Sequence, residues 1–398
     1  MKKLMSMFFR PSVVAFFALT LCGHVSASEP LVIKGFIAQG VQQASESNFI
    51  NEDGDVSVAM TEIGLNARYP ISQNLSINGQ LVYINSGDRY PEGGRVDYLF
   101  VDWSVVSNPS WNVNLHFGRY KNYHWIYSAT RDVPHTRPGN LLPQSIYFDS
   151  FRDIALGSDG IALRANTTNA LGDWEVNWSY GRSPINKKST QQLLGHLSTG
   201  DVEQDYVHQL STTWRSYQTG LMLGINYLDS DFTYNRGDSD PFIDGDANVQ
   251  RVSLMGQYQS EFWEFTSEVM RESSRFENAL FPGFVSDSIA EGGYAQLMLL
   301  PNARWSGLLR LDLYDLNRED RNGNQLSELA FGQIPNYFGY MDTGTVGARY
   351  NILDNLAVQV EYNRIRGAGR LTPLLVKNPL AAPSEYWDLW SVQLMYWF

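Results

Sequence analysis

The sequence is nearly devoid of cysteine. Of its 398 residues the one cysteine is Cys22, which lies in an N-terminal stretch with a basic start, an apolar run over 13–21 and small residues at 25–27. This layout predicts a secretory signal peptide over residues 1–27, cleaved after Ala27. The mature chain would then carry no thiol, which excludes disulfide bonds and cysteine-based metal sites.

Two alternatives fit this N-terminal stretch less well. A transmembrane helix needs ~18 apolar residues, and the run over 13–21 is shorter than that. Lipid attachment at Cys22 requires a small residue before the cysteine, where the chain has Leu21. We therefore expect simple cleavage and export.

Positive charge is also scarce. The chain has 30 Lys and Arg against 42 Asp and Glu, and loss of Lys2, Lys3 and Arg10 with the signal peptide leaves a net charge of −15. Charge of this sign repels phosphate backbones and anionic lipid headgroups. The composition therefore argues against a nucleic-acid-binding protein and against a peripheral protein held on anionic lipid.

Long apolar segments and interdomain linkers are missing from residues 28–398. No stretch there reaches the ~18 apolar residues of a membrane helix, and no Pro/Ser-rich segment divides the chain. Aromatic residues nevertheless make up 13% of the sequence. The remaining way to enter a bilayer is a closed barrel, in which every backbone N–H and C=O pairs between strands. We therefore predict one barrel domain over 28–398.

Alternation of apolar and polar residues supports this prediction. It is clear in "WNVNLHFGRY", "DWEVNWSYG" and "LAVQVEYN", and a period of two indicates β-strands. The pattern predicts about sixteen strands. They start near Leu31, Ser57, Asn74, Val96, Trp111, Asp159, Gly172, Asp205, Thr219, Asn248, Phe262, Glu291, Arg304, Asp342, Asn355 and Tyr386.

The connections alternate between short and long. The short ones include "SNPS", "NALGD", "PNAR" and "NILDN". The long ones lie near 42–56, 84–95, 119–158, 182–204, 229–247, 272–290, 315–341 and 366–385. This alternation is typical of bacterial outer-membrane barrels. The predicted fold is therefore an all-β, transmembrane antiparallel β-barrel with short periplasmic turns, long extracellular loops and both termini on the periplasmic side.

A soluble β-protein is the alternative, because alternation does not tell which face of a strand points inward. Three features favour the membrane barrel: long strands, aromatic residues near strand ends, and a last strand that ends on Phe398. The aromatic residues near strand ends include Trp103, Trp111, Trp174 and Trp305.

The C-terminal "WSVQLMYWF" is apolar at alternate positions, including Leu394, Tyr396 and Phe398. It resembles the terminal signal of Gram-negative outer-membrane proteins, which implies recognition by the barrel-assembly machinery. Residues 28–398 are similar in layout to sixteen-stranded general porins. The segment "GRYKNYHWIYSATRDVPHTRPGNLLPQSIYFDSFRD" also resembles uncharacterised porin-like proteins of marine gammaproteobacteria.

This resemblance implies a homotrimer in the cell outer membrane, in contact with lipid and lipopolysaccharide. It also implies that the third long connection, 119–158, folds into the lumen and narrows it. Loops of this length are usually functional or disordered, and this one is rich in aromatic residues that can pack. The predicted constriction residues are Arg119, Lys121, Arg131, Asp132, Arg137, Asp149, Arg152 and Asp153.

The charge of this connection allows two roles. Its five Arg and Lys exceed its three Asp, and His124 and His135 would add positive charge below a pH of about 6.5. A positive constriction would favour anions, whereas Arg–carboxylate pairs would only pin the loop to the wall. The predicted lumen wall adds Glu62, Asp102, Arg164, Arg251, Arg310, Asp312, Arg349 and Glu361.

The predicted function is passive diffusion of small hydrophilic solutes and ions, with no catalytic residue, cofactor or metal. The aspartates of 229–246 do not match the spacing of an EF-hand loop and are interpreted as solvated loop tips. A substrate-specific channel is the close alternative. An outer-membrane hydrolase is a more distant one, because the sequence has no G-x-S-x-G motif and few histidines.

Overall fold

The structure is a computed structural model that describes residues 31–51, 54–155, 157–194, 198–240, 242–278, 282–371 and 384–398. The predicted signal peptide, residues 1–27, lies outside this range.

The described residues contain sixteen β-strands. They are β1 Val32–Ser45, β2 Thr61–Ser72, β3 Leu75–Asn85, β4 Gly93–Ser107, β5 Trp111–Lys121, β6 Gly157–Asn169, β7 Gly172–Arg182, β8 Asp201–Arg215, β9 Leu221–Asn235, β10 Gly245–Gln259, β11 Trp263–Glu277, β12 Val285–Leu299, β13 Trp305–Asp315, β14 Tyr340–Leu353, β15 Leu356–Gly367 and β16 Tyr386–Trp397.

Helical structure is confined to the connections. The α-helices are α1 Arg152–Ala155, α2 Lys187–Leu194 and α3 Asn324–Leu329. Short 3-10 turns cover Ser128–Thr130, Pro134–Thr136, Asp149–Phe151 and Asn336–Gly339. No helix in the described ranges is long and apolar enough to cross a bilayer.

Each strand pairs antiparallel with its sequence neighbours, and β1 pairs with β16 to close the barrel. The backbone hydrogen bonds of the closing pair continue to the last residue. Gly35 N–H donates to Phe398 O at 3.1 Å, and Phe398 N–H donates to Gly35 O at 3.0 Å. Closure leaves no open sheet edge, which is the condition for a sheet to enter hydrocarbon.

The apolar side of the strands faces outward. In β16 the side chains of Val392, Leu394 and Tyr396 are exposed, whereas Gln393 and Met395 between them are buried inside the barrel. The same alternation runs through the other strands, as in β13, where Leu309, Leu311 and Leu313 are exposed. The predicted transmembrane barrel is therefore confirmed, and the soluble arrangement with its apolar faces inside is wrong.

Aromatic pairs on neighbouring strands mark the end of the barrel with short turns. Trp305 and Tyr350 have ring centroids 4.6 Å apart, and the rings of Tyr258 and Trp263 lie 5.2 Å apart. Rings of this kind are typical of the boundary between hydrocarbon and headgroups. Both chain termini of the barrel lie at this same end, as predicted.

Candidate functional site

The third loop, residues 122–156, joins β5 to β6 and folds into the barrel. Its aromatic residues Trp125, Tyr127 and Tyr147 are buried against Tyr294 and Tyr314, which point inward from β12 and β13. The aromatic content that the sequence showed in this segment thus serves to pack the loop on the inner wall.

The loop is bonded to the wall on opposite sides of the lumen. On one side His124 hydrogen-bonds to Ser179 at 2.8 Å and Ser211 at 3.1 Å. On the other side Asn140 Nδ2 donates to Ser391 Oγ at 2.9 Å. Including the contacts below, the loop hydrogen-bonds to β2 and to every strand from β7 to β16. The loop therefore crosses the lumen and is held against most of the inner wall.

The arginines of the third loop are compensated by carboxylates. Arg131 lies 2.9 Å from Asp149, which also accepts a 2.9 Å bond from Arg89 of the second loop, residues 86–92. Arg152 pairs with Asp132 inside the loop. These side chains are all buried, so the pairs hold the loop in place.

Arg137 completes this set of anchors. Its Nη1 and Nη2 donate to Glu62 on β2 at 3.1 and 2.6 Å, a two-bond geometry that fixes the orientation of both groups. Lys121 Nζ lies 3.6 Å from the buried Asp97 and faces the ring of Tyr98. The sequence allowed two roles for the charged residues of the third loop, anion selectivity or pinning of the loop to the wall. These contacts support the pinning role.

Two predicted constriction residues are not placed in the lumen by the structure. Arg119 lies on the outward face of β5 and pairs with the half-exposed Asp159 at 2.8 Å. Arg119 faces outward because it occupies the same alternate positions of β5 as Trp111 and Phe117. The side chain of Asp153 lies outside the described part of the structure.

The two histidines of the loop do not add charge near pH 6. Burial lowers the pKa of His124 to about 3, and His208 lowers it further in the same direction. Burial also lowers the pKa of His135 to about 4, assisted by the neighbouring cations Arg349 and Arg137. The prediction that these rings become positive below a pH of about 6.5 is therefore corrected.

All eight predicted wall residues point inward. Arg164 pairs with Glu175 at 2.9 Å and lies over the ring of Tyr123. Arg251 pairs with Glu272. Asp102 accepts a 2.7 Å bond from Asn114 and keeps a partly exposed side chain, so the wall near β4 to β7 is less covered by the third loop.

Four inward carboxylates hold the middle of the third loop, and we call them the carboxylate wall: Glu62, Glu268, Asp312 and Glu361. Glu361 accepts the backbone N–H of Asn140 at 2.8 Å and of Leu141 at 3.2 Å. Asp312 accepts the backbone N–H of Gln144 at 2.7 Å.

Glu268 accepts the hydroxyl of Tyr147 at 2.5 Å and that of Tyr294 at 2.7 Å. Together with the Arg137–Glu62 pair, these contacts mean that every member of the carboxylate wall is bonded to a donor from segment 137–147.

Two arginines that hold the loop from outside it were not predicted from the sequence. Arg89 comes from the second loop, and Arg370 comes from the connection between β15 and β16. Arg370 stacks on Tyr314 at 3.7 Å and on Phe148 at 4.5 Å, and donates to Ser145 O at 2.9 Å. Neither residue lies in an alternating segment, so periodicity could not have found them.

A cavity of about 630 Å³ opens at the short-turn end beneath the third loop. Its lining includes Arg137, Pro138, Glu264, Met298 and Arg349. A narrow gap between the loop and the wall shares Pro138, Met298 and Arg349 with this cavity and extends to Glu361. In the described residues no group of His, Asp, Glu or Cys is arranged to hold a metal ion.

No protein-family model and no curated protein sequence matches the chain. Solved structures do match. The trimer form of OmpT, an outer-membrane protein of Vibrio cholerae, is 11% identical, covers 93% of this chain and 99% of its own, and has a TM-score of 0.54. The outer-membrane channel DcaP of Acinetobacter baumannii is 10% identical, covers 92% and 97%, and has a TM-score of 0.55.

An anion-selective porin from Comamonas acidovorans is 12% identical, covers 93% of this chain and 99% of its own, and has a TM-score of 0.54. The chain therefore has the sixteen-stranded barrel fold of outer-membrane porins and channels. The resemblance noted in the sequence is confirmed at the level of the fold.

Proposed function

We propose that the protein is a channel of the Gram-negative outer membrane that lets small hydrophilic solutes and ions diffuse passively. The observation that carries this proposal is the closed barrel with an apolar outer face and a polar inner face. Such a barrel is stable in hydrocarbon because its polar side chains point inward, away from the lipid. The same inward side chains are suited to line an aqueous path.

Orientation, export and assembly are part of the same proposal. The short turns face the periplasm and the long loops face the outside, after a signal peptide over 1–27 directs export. Phe398 and the apolar face before it act as the signal for the barrel-assembly machinery, and the outer face of the barrel contacts lipid and lipopolysaccharide. The trimer form of the similar Vibrio cholerae structure supports a homotrimer.

A solute-specific channel is the second candidate. The third loop is bonded to the wall from β7 to β16, which leaves the less covered wall near β4 to β7 as the path for a solute. A path of this kind favours solutes that fit its polar groups.

Hydrolysis is not part of the proposal. His124 does lie within hydrogen-bond distance of Ser179 and Ser211, the pairing that activates a serine nucleophile. Both serines are only 1% exposed, however, which leaves no access for a substrate. The contact instead anchors the first part of the third loop.

Single-channel recording of the purified protein in a planar bilayer tests the proposal. We expect discrete conductance steps in KCl, with a reversal potential in a KCl gradient that reports ion preference. Saturation of the current by one solute class at low concentration would favour the solute-specific candidate. Absence of any conductance would refute the channel.

A further inference from the structure

The cavity of about 630 Å³ beneath the third loop has three charged groups at its lower end and sides. Arg349 points inward from β14 and Glu264 points inward from β11, while Glu261 lies in the turn that precedes β11. All three therefore lie in one sector of the barrel, between β11 and β14, and face a common space that opens at the short-turn end.

These charges are not neutralised inside the protein. Arg349 donates to two neutral oxygens, His135 O at 2.6 Å and Asn351 Oδ1 at 3.0 Å. Glu264 accepts a 3.3 Å bond from the neutral hydroxyl of Thr266. Across the described ranges, neither Arg349 nor Glu264 has a group of opposite charge at ion-pair distance. Half-buried charges of this kind are stabilised by a ligand that supplies the opposite charge.

The roof of the cavity has unused hydrogen-bonding groups. Arg137 lines it and is 8% exposed. Its terminal nitrogens are bonded to Glu62, but its buried Nε has no partner in the described residues. The same holds for the buried Nδ1 of His135. Because most buried polar atoms in proteins are hydrogen-bonded, these two atoms indicate that a polar ligand fits beneath the loop.

Opposite charges lie at opposite ends of the cavity. β11 and β14 are three strands apart, and neighbouring strands are spaced by ~4.8 Å, so the charges of Arg349 and Glu264 are separated by roughly 10 to 15 Å. The lining between them is largely uncharged and includes Pro138 of the loop, Met298 of β12 and Ser306 of β13. A simple ion would satisfy one end only, whereas a solute with a cation and an anion at this distance would satisfy both.

A short peptide meets this requirement. An extended chain rises by about 3.3–3.6 Å per residue, so three or four residues place the terminal ammonium and carboxylate groups at about the required distance. The carboxylate can accept charge-assisted bonds from Arg349, and the ammonium group can donate to Glu261 and Glu264. A peptide carbonyl oxygen can accept from Arg137 Nε, and the uncharged middle of the cavity accommodates the side chains.

We propose that this cavity binds zwitterionic peptides of three or four residues, with Arg349 selecting the carboxylate end and Glu261 and Glu264 selecting the ammonium end. The inference rests on the proposed channel function for the route by which a peptide arrives. It adds to that function the class of solute and its orientation in the lumen.

The first test compares three peptides that differ only in their end groups. Trialanine carries both charges, N-acetyl-trialanine lacks the ammonium group, and trialanine amide lacks the carboxylate. Their affinities are measured by titration calorimetry on the unmodified, detergent-solubilised protein, so the result depends neither on conduction nor on the folding of a variant. We expect trialanine to bind about tenfold more tightly than either analogue. Equal affinity for the three peptides would overturn the inference.

The second test changes the two ends of the cavity separately. Arg349→Gln should bind trialanine no more tightly than trialanine amide, but should still prefer trialanine to the acetylated peptide. Glu261→Gln with Glu264→Gln should show the reverse pattern. Arg349→Lys keeps the charge and should keep the preference for a free carboxylate. A loss of affinity that is equal for all three peptides would mean that these residues only support the cavity, and would refute the assignment.

The matched control is Arg364→Gln with Asp388→Asn, which removes one cation and one carboxylate from the outward face of β15 and β16. Peptide affinity should be unchanged in this variant. Planar-bilayer recording separates the inference from the proposed function. A protein that conducts ions but does not bind trialanine would overturn the inference alone, whereas a protein that binds trialanine without conducting would overturn the proposed function.

Discussion

Arg137 of the third loop reaches Glu62 on β2 with both terminal nitrogens, and both side chains are buried. A buried pair of this kind contributes modestly as a pair, but removal of one partner leaves an uncompensated charge. The carboxylate of Glu62 also accepts a bond from Gln393 of β16 at 3.0 Å, so the pair ties the loop to both sides of the barrel closure.

Arg137→Gln should therefore destabilise the folded barrel by about 3–5 kcal/mol. Thermal unfolding in detergent, followed by circular dichroism, measures the change. The double variant Arg137→Gln with Glu62→Gln leaves no unpaired charge and should recover most of the loss. If Arg137→Gln alone leaves the protein as stable as the unmodified form, the burial of this pair is contradicted.

Asp149→Asn should loosen the second and third loops together. Asp149 is the shared partner of Arg89 and Arg131, so its neutralisation leaves two buried guanidinium groups facing each other. We expect earlier cleavage of these loops by trypsin at neutral pH. Asp159→Asn is the control, because the pair of Asp159 with Arg119 is solvent-exposed and such pairs contribute less than about 1 kcal/mol. Equal protease sensitivity of the two variants would argue against the network.

Acid should weaken the anchoring of the third loop below a pH of about 6.5. The pKa of His124 is lowered by burial to about 3 and that of His135 to about 4, whereas an unfolded histidine titrates near 6.5. The neutral rings therefore contribute stability that is fully present above a pH of about 6.5. It is lost progressively as the pH falls toward 4.

Melting temperatures between pH 7 and pH 4 measure this effect. His124→Gln keeps a polar side chain without the titration, and should have a flatter pH profile over the same interval. A variant with the same acid dependence as the unmodified protein would exclude His124 as a source of it.

Asp240→Asn should detach the fifth loop, residues 236–244, from the fourth. Burial alone would raise the pKa of Asp240, but bonds from the Tyr234 hydroxyl and from backbone N–H groups hold it at about 2. One of these donors is Gly200 N–H of the fourth loop, residues 183–200, at 2.7 Å. The contribution of this lowered pKa is present above a pH of about 3.9 and is lost as the pH falls toward 2. Hydrogen exchange at Gly200 measures the link, and Asp238→Asn is the matched control.

Phe398→Ala should reduce the yield of assembled barrel in the outer membrane. The Phe398 side chain lies on the outward face at the closing pair of strands, beside Tyr396. Heat-modifiable migration in gel electrophoresis reports the assembled fraction. Tyr386→Ala removes an exposed aromatic residue at the other end of β16 and should assemble normally. Equal yields for the two variants would exclude a special role for the last residue.

The sequence predicted strands well where alternation continues to the strand end. The predicted starts at Trp111, Gly172 and Tyr386 coincide with those of β5, β7 and β16. The start of β12 is Val285 instead of Glu291, because "SDS" at 286–288 is polar on both faces. Such residues lie at the loop end of the barrel, where neither side of the strand has to be apolar.

The site was less predictable because its contacts are distant in sequence. Arg137 and Glu62 are 75 residues apart, and no local pattern indicates that they meet. The sequence identified the inward residues of the wall but not which loop group each one binds. Arg119 was a different case, since extending the alternation of β5 by two residues beyond Phe117 would have placed it outside.

His135 of the third loop stacks on Trp397 with ring centroids 4.5 Å apart and planes 8° apart. Trp397 belongs to β16, the strand that pairs with β1 to close the barrel, and Ser391, the partner of Asn140, lies on the same strand. An opening of the seam between β1 and β16 would therefore displace the surface on which His135 and Asn140 rest. The integrity of the closure and the position of the third loop are coupled through this one strand.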